Sequence, residues 1–211
     1  MENNLTKELL INNLIQDGYL KTPAIIDAFK NIDRADFIPK DNLNEAYANY
    51  PLPIGFSQTI SQPLTVAFML ELLDVRPGER ILEIGAGSGW QTALLSFLAG
   101  ENGKVLALEI IPELKAMAEA NTSKYGFIEK EIAAVFLADG SNGYPLEAPY
   151  DKIIAGAAGN EIPAAWKEQL KVNGRIVAPI KESIVVLDKI APEEFKQREY
   201  FGFSFVPLVK K

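Results

Sequence analysis

The 211-residue chain has no cysteine and no histidine. The first absence removes disulfides and thiolate nucleophiles, and the two together remove Cys/His zinc sites and serine–histidine triads. No metal site is expected, and a general base must be a carboxylate, a lysine or a tyrosine unless the chemistry needs none. A net charge of −7 offers no basic face for extended nucleic-acid binding. No apolar run approaches the ~20 residues that span a bilayer, so no membrane partner is expected. Met1-Glu2-Asn3-Asn4 lacks the basic and apolar regions of a secretory leader, and the plain reading is a cytoplasmic protein. With 48% hydrophobic residues the chain can bury one good core. One compact domain with a small extension follows, with a monomer as the simplest assembly.

The most informative stretch is Arg80-Ile81-Leu82-Glu83-Ile84-Gly85-Ala86-Gly87-Ser88-Gly89. It reads as a short buried strand entering a turn of three glycines, and residues 91–99 then have helical character. Open α/β sheets bind cofactors at such strand-to-helix turns. The dinucleotide fingerprint G-x-G-x-x-G would need glycine at position 90, where Trp90 stands. An indole there argues against a pyrophosphate at the helix N-terminus. Glu83 places an acid beside the site, which suits a cationic ligand. The stretch therefore leans toward S-adenosylmethionine and away from a nicotinamide dinucleotide.

Residues 1–78 read as a helical N-terminal extension with a substrate loop, and residues 79–211 as the cofactor-binding core. Leu5 to Ile15 has helical spacing, and Thr22-Pro23 opens a helix from Ala24 to Ile32. Arg34-Ala35-Asp36-Phe37-Ile38-Pro39 closes that unit. Tyr50-Pro51-Leu52-Pro53-Ile54-Gly55 shows no helix or strand period, and Ser61-Gln62-Pro63 starts a helix through about Leu73. Strand-like runs follow at Ile81–Ile84, Val105–Glu109, Ala133–Leu137, Lys152–Ala155, Arg175–Pro179, Ile184–Ile190 and Phe201–Val206. Helices are expected near 91–99, 112–125 and 162–170. The early runs are continuously apolar, as strands covered on both faces should be. The last two leave no room for a helix between them, so an antiparallel hairpin is expected beside an otherwise parallel sheet.

Glu109 ends the second strand at roughly the 20-residue distance at which an acid meets ribose hydroxyls. It reads equally as a strand-end acid that solvates a turn. Asp139-Gly140 ends the third strand, either as an acceptor for an adenine amino group or as an ordinary Asp-Gly turn. Acids and glycines at the same end of three successive strands favour the nucleoside reading. Ser61 within Gly55-Phe56-Ser57-Gln58-Thr59-Ile60-Ser61-Gln62-Pro63 either caps the following helix or orients a substrate from a polar loop over the cofactor site.

Pro51-Leu52-Pro53-Ile54-Gly55, Gln58-Thr59-Ile60-Ser61-Gln62-Pro63, Leu82-Glu83-Ile84-Gly85-x-Gly87-Ser88-Gly89 and Phe205-Val206-Pro207-Leu208 together resemble the protein-L-isoaspartate O-methyltransferases. Ile111-Pro112-Glu113-Leu114 and Glu161-Ile162-Pro163 are similar to that family too. The resemblance runs from about Arg34 to Leu208. It implies an α/β, Rossmann-like class I methyltransferase fold with a mostly parallel seven-stranded sheet. It also implies methyl transfer from S-adenosylmethionine to the α-carboxylate of L-isoaspartyl residues in damaged proteins. On this resemblance Ser61 is the active-site serine. Cofactor positions are Ile60, Ser61, Glu83, Gly85, Ala86, Gly87, Glu109, Ile110, Asp139 and Gly140, and substrate positions are Thr59, Ser61, Ala157, Val206 and Pro207.

This chemistry suits a chain without histidine or cysteine. A carboxylate with an ordinary pKa near ~3.9 is already ionised at neutral pH and attacks a sulfonium methyl without a general base. The methyl ester is a better leaving group, and the neighbouring backbone nitrogen then closes a succinimide. The chain departs from the family pattern at Asn49 (usually Asp), at Ser57 (usually Gly) and at Ala157-Ala158-Gly159-Asn160 (usually an Ala-Pro ending). These departures leave the cofactor positions intact and bear on the substrate side. Two other readings stand beside the main one: a methyltransferase of this fold acting on another carboxylate or small molecule, and a non-catalytic cofactor-binding module.

Overall fold

The computed structural model describes residues 5–209; Met1–Asn4, read above for a leader, lie outside the described residues. The chain opens with helices α1 (Lys7–Gln16) and α2 (Pro23–Asn31). The Thr6 hydroxyl accepts the Leu9 amide at 3.2 Å and caps α1, which buries Leu10, Ile11 and Leu14. Thr22 precedes proline at the start of α2, yet its hydroxyl does not cap that helix. It donates to Glu71, which also accepts the Lys21 and Thr22 amides, each bond 2.7 Å long.

The proline loop, expected to be irregular, is a β-hairpin of β1 (Leu52–Gly55) and β2 (Gln58–Ile60). Leu52 and Ile54 turn inward while Pro53 and Gly55 face out, a period of two hidden by the flanking prolines. The turn residues Phe56 and Ser57 both have positive φ, 53° and 56°. A type I′ two-residue hairpin turn requires that backbone, and asparagine and glycine adopt it most readily.

Helix α3 (Pro63–Leu73) leads to the main sheet and the elements that cover it. These are β3 (Arg80–Ile84), α4 (Trp90–Ala99), β4 (Lys104–Glu109), α5 (Pro112–Ser123), β5 (Ala133–Leu137), β6 (Tyr150–Ala155), α6 (Ala164–Gln169), β7 (Leu170–Ile180), β8 (Ser183–Ala191) and β9 (Glu194–Phe201). The strand order is β5-β4-β3-β6-β7-β8-β9. β5 through β7 are mutually parallel, and β8 and β9 are antiparallel additions. The mostly parallel seven-stranded sheet is thus as expected.

The last strand is not Phe201–Val206 as the apolar run implied, but the polar segment Glu194–Phe201. Ala191 pairs with Glu194 across a two-residue turn, so β9 begins at once. As an edge strand it is held by backbone bonds and needs no fully buried face. The apolar run instead crosses back over the sheet, where Phe203 and Phe205 pack on the core. Helix α6 is shorter than expected because Pro163 starts it late and β7 already begins at Leu170.

One core lies beneath α1–α4, where Leu14, Phe29, Leu70 and Leu94 meet Ile81 and Val105, so the N-terminal helices share packing with the sheet. The opposite face holds Tyr150, Trp166 and Leu170. Among the described residues no helix is long and apolar enough to cross a membrane. The strand order reverses at β3, with β4 and β5 on one side and β6 and β7 on the other, and the carboxyl ends of β3, β4 and β6 open onto a common crevice.

Candidate active site

β3 ends in Gly85-Ala86-Gly87-Ser88-Gly89. Gly85, Gly87 and Gly89 have φ of 84°, 54° and 87°, a backbone that side chains resist. Four of the five amides of this turn are already used, that of Gly89 by the Ala86 carbonyl at 2.8 Å. Those of Gly85 and Ala86 donate to the Leu108 carbonyl at 2.8 and 3.1 Å, and that of Gly87 donates to Glu109 Oε2 at 2.9 Å. Glu109 Oε1 accepts the Ile110 and Ile111 amides at 2.8 and 3.0 Å. A pyrophosphate would meet a carboxylate where a dinucleotide site offers free N–H groups.

Glu83, one residue before the end of β3, is fully buried. It accepts from Thr92 Oγ1 at 2.6 Å and from Gln91 Nε2 at 3.1 Å. Burial pushes its carboxyl up to about 8; the two hydrogen bonds pull the other way and nearby Glu109 adds to the rise. A cation placed beside Glu83 would draw it back toward the charged form. Two carboxylates and a turn whose Gly85, Ala86 and Gly87 amides are taken thus fit a cationic, hydroxyl-bearing nucleoside.

Three adjoining cavities lie over these strand ends. The first, about 560 Å³, is floored by Glu83, Gly85, Ala86, Gly87 and Glu109, walled by Trp90 and Gln91, and roofed by Thr59, Ile60, Ser61, Ala157 and Val206. The second, about 430 Å³, shares Gly85, Glu109 and Ala157 with it and adds Ile110, Gly140 and Pro207. The third, about 720 Å³, is bounded by Pro51, Gln62, Thr65, Ser204 and Phe205. Thr59, Ser61, Gly156 and Val206 line both the first and the third. Asp139 is not among the residues lining these three cavities: it sits beside Gly140 and accepts the Ser141 amide at 2.9 Å, starting a short turn. A Cβ on Gly140 would lie 2.4 Å from Ile84 Cγ2, so glycine alone fits there.

Ser61 does not cap α3. That helix is preceded by Gln62, and its Leu64 amide goes to Asn49 Oδ1 at 3.0 Å. Asn49 thus serves as an acceptor, a task that asparagine and aspartate share. The departure at 157–160 also has a visible role. The Ala158 amide donates to the Val206 carbonyl and the Leu208 amide to the Ala158 carbonyl, both at 2.8 Å, which lays Val206 and Pro207 across the crevice. Sequence reasoning did not single out Gln58, Gln91 or Gly156 as lining residues. Gln58 opens a motif already quoted and Gln91 follows the glycine turn closely, but Gly156 follows β6 with no local signal.

Fold and crevice together define a class I S-adenosylmethionine-dependent methyltransferase. Residues 5–211 match the model of the protein-L-isoaspartate(D-aspartate) O-methyltransferase family, and the chain belongs to that family. It is 39% identical to the protein-L-isoaspartate O-methyltransferase of Methanopyrus kandleri over 96% of this chain and 91% of the relative. It is 41% identical to that of Ignicoccus hospitalis over 97% and 98%. A solved structure of a candidate protein-L-isoaspartate O-methyltransferase from Plasmodium falciparum, in complex with S-adenosyl-L-homocysteine, superposes over the full length of both chains with a TM-score of 0.88 at 24% identity. That last likeness concerns the fold.

Proposed function

We propose that this protein transfers a methyl group from S-adenosylmethionine to the α-carboxylate of L-isoaspartyl residues, initiating their repair through a succinimide. The observation that carries the reading is the position of Ser61, which lines both the carboxylate-floored cavity and the adjoining cleft. One side chain can therefore touch both reactants.

S-adenosylmethionine supplies the electrophilic sulfonium methyl. In this reading Glu109 accepts from the ribose hydroxyls, and Glu83 faces the cationic end across Gly85, Ala86 and Gly87. Ile60 covers the cofactor from above. Ile110, Asp139 and Gly140 form the adenine end, with Asp139 turning from its cap toward the base. Ser61 donates a hydrogen bond that fixes the acceptor carboxylate, while Thr59, Ala157, Val206 and Pro207 hold the peptide. No residue has to take a proton, since the attacking carboxylate arrives ionised. The protein's contribution is alignment of the two reactants and exclusion of water.

The finer assignments belong to the same proposal. A monomeric catalytic unit is part of the same reading. The excess of acidic residues supports a protein substrate over nucleic acid. The use of an intracellular cofactor supports a cytoplasmic location. Residues 1–78 are taken as the substrate-side extension and 79–211 as the cofactor core. Incubation with methyl-labelled cofactor and an isoaspartyl peptide tests the reading. Base-labile label on the peptide, strongly reduced in Ser61→Ala, is the expected result. Cofactor binding with no label on any carboxylate would favour the non-catalytic module.

A further inference from the structure

We infer that Arg34 is a positioning residue for methyl transfer, holding the serine-bearing roof of the site in register with the cofactor cavity. The inference rests on the methyltransferase reading of that site. Arg34 lies in a single 3₁₀ turn (Arg34–Phe37), 27 residues before Ser61, and it is almost completely buried. Its guanidinium donates to four carbonyls: Nη1 to Ala46 at 2.8 Å and Ala48 at 3.1 Å, and Nη2 to Tyr50 at 3.0 Å and Ser61 at 3.2 Å. Its Cζ lies 5.4 Å from the centre of the Trp90 ring, the indole that walls the first cavity. One side chain thus touches the segment leading into the hairpin, the Ser61 backbone and the cofactor wall.

No carboxylate pairs with Arg34 among the described residues, and its Nε–H finds no hydrogen-bond partner there. A buried cation held only by neutral groups is expensive. Stability alone is a poor reason to keep one, because an apolar side chain could fill the space. What an apolar side chain could not do is bind four carbonyls that converge from two separate segments. A planar guanidinium with diverging N–H groups can, whereas lysine's compact ammonium has only three donors. A second clasp joins the same two segments from outside. Gln62 Nε2 donates to the Asn49 carbonyl at 2.9 Å, and Asn49 Oδ1 accepts the Leu64 amide. Residues 46–50 therefore act as a rail on which Ser61 is mounted, with Arg34 as the inner fastening and Asn49 as the outer one.

The test separates turnover from cofactor binding. Arg34→Lys and Arg34→Ala should lower kcat for an isoaspartyl peptide at least tenfold, while S-adenosylhomocysteine affinity stays within about threefold. Added guanidinium should restore part of the turnover of Arg34→Ala, which a merely stabilising residue would not predict. Wild-type turnover in folded Arg34→Lys, or a loss of cofactor affinity equal to the loss of kcat, overturns the inference. If the Arg34 variants do not fold, Asn49→Ala decides. Its clasp is on the exposed side, and a several-fold fall in kcat at unchanged cofactor affinity supports the rail, whereas an unchanged kcat contradicts it. Wild-type protein that methylates no isoaspartyl peptide would instead overturn the functional reading itself.

Discussion

Glu109 Oε2 accepts the Gly87 amide at 2.9 Å, so the carboxylate that ends β4 ties down the glycine turn that follows β3. Its other oxygen takes the Ile110 and Ile111 amides. A single acid thereby shapes the cavity floor and denies it to phosphate. Glu109→Gln keeps the size but has one acceptor oxygen, and its NH₂ group must face a backbone N–H. We expect S-adenosylhomocysteine affinity to fall at least tenfold, about 1.4 kcal/mol or more, from the donor–donor clash and the lost charge-assisted bonds. Titration calorimetry on the folded variant checks this.

Glu83 should make stability decline with pH. Its carboxyl has a reference value of 4.5, and burial raises it in the folded protein to about 8. Between those values the native state holds a proton that the unfolded state has lost. The stabilisation is complete below 4.5, shrinks as pH rises, and is gone above about 8. A shift of this size is worth on the order of a few kcal/mol. Glu83→Gln removes the titration, so its Tm should gain on the wild type steadily from pH 5 to pH 8.5. A constant Tm difference across that range would show that Glu83 is ionised throughout.

At the hairpin tip, Ser57 occupies a left-handed backbone position, φ 56°. Glycine adopts that conformation without Cβ strain. Ser57→Gly should raise stability by up to about 1 kcal/mol, the relieved strain being partly offset by glycine's greater freedom in the unfolded chain. Denaturant melts measure it, and no loss of methyl transfer is expected. A clear loss would give the stiffer turn a part in substrate choice.

The sheet was legible because buried parallel strands are continuously apolar and glycine turns mark their ends. Ile81–Ile84 and Val105–Glu109 show both features. β9 was not legible, since an edge strand such as Glu194–Phe201 needs only backbone pairing and carries polar side chains on most positions. The hairpin at Leu52–Ile60 was masked by prolines, which a two-stranded sheet tolerates because each strand has an unpaired edge where no N–H is needed. The floor of the site could be read from acids and glycines at successive strand ends. Arg34 could not: its partners are backbone carbonyls, which leave no trace in side-chain spacing, and they come from segments that only the fold brings together. The sequence allowed Ser61 to cap α3, and that reading fell once α3 was seen to start at Pro63 with Asn49 accepting the Leu64 amide.

The most direct test of the central claim compares two peptides identical except for aspartate or isoaspartate at one position, assayed for labelled methyl transfer. The account predicts efficient methylation of the isoaspartyl peptide and kcat/KM at least a hundredfold lower for its aspartyl twin. Equal rates, or preference for the ordinary aspartyl peptide, would contradict it.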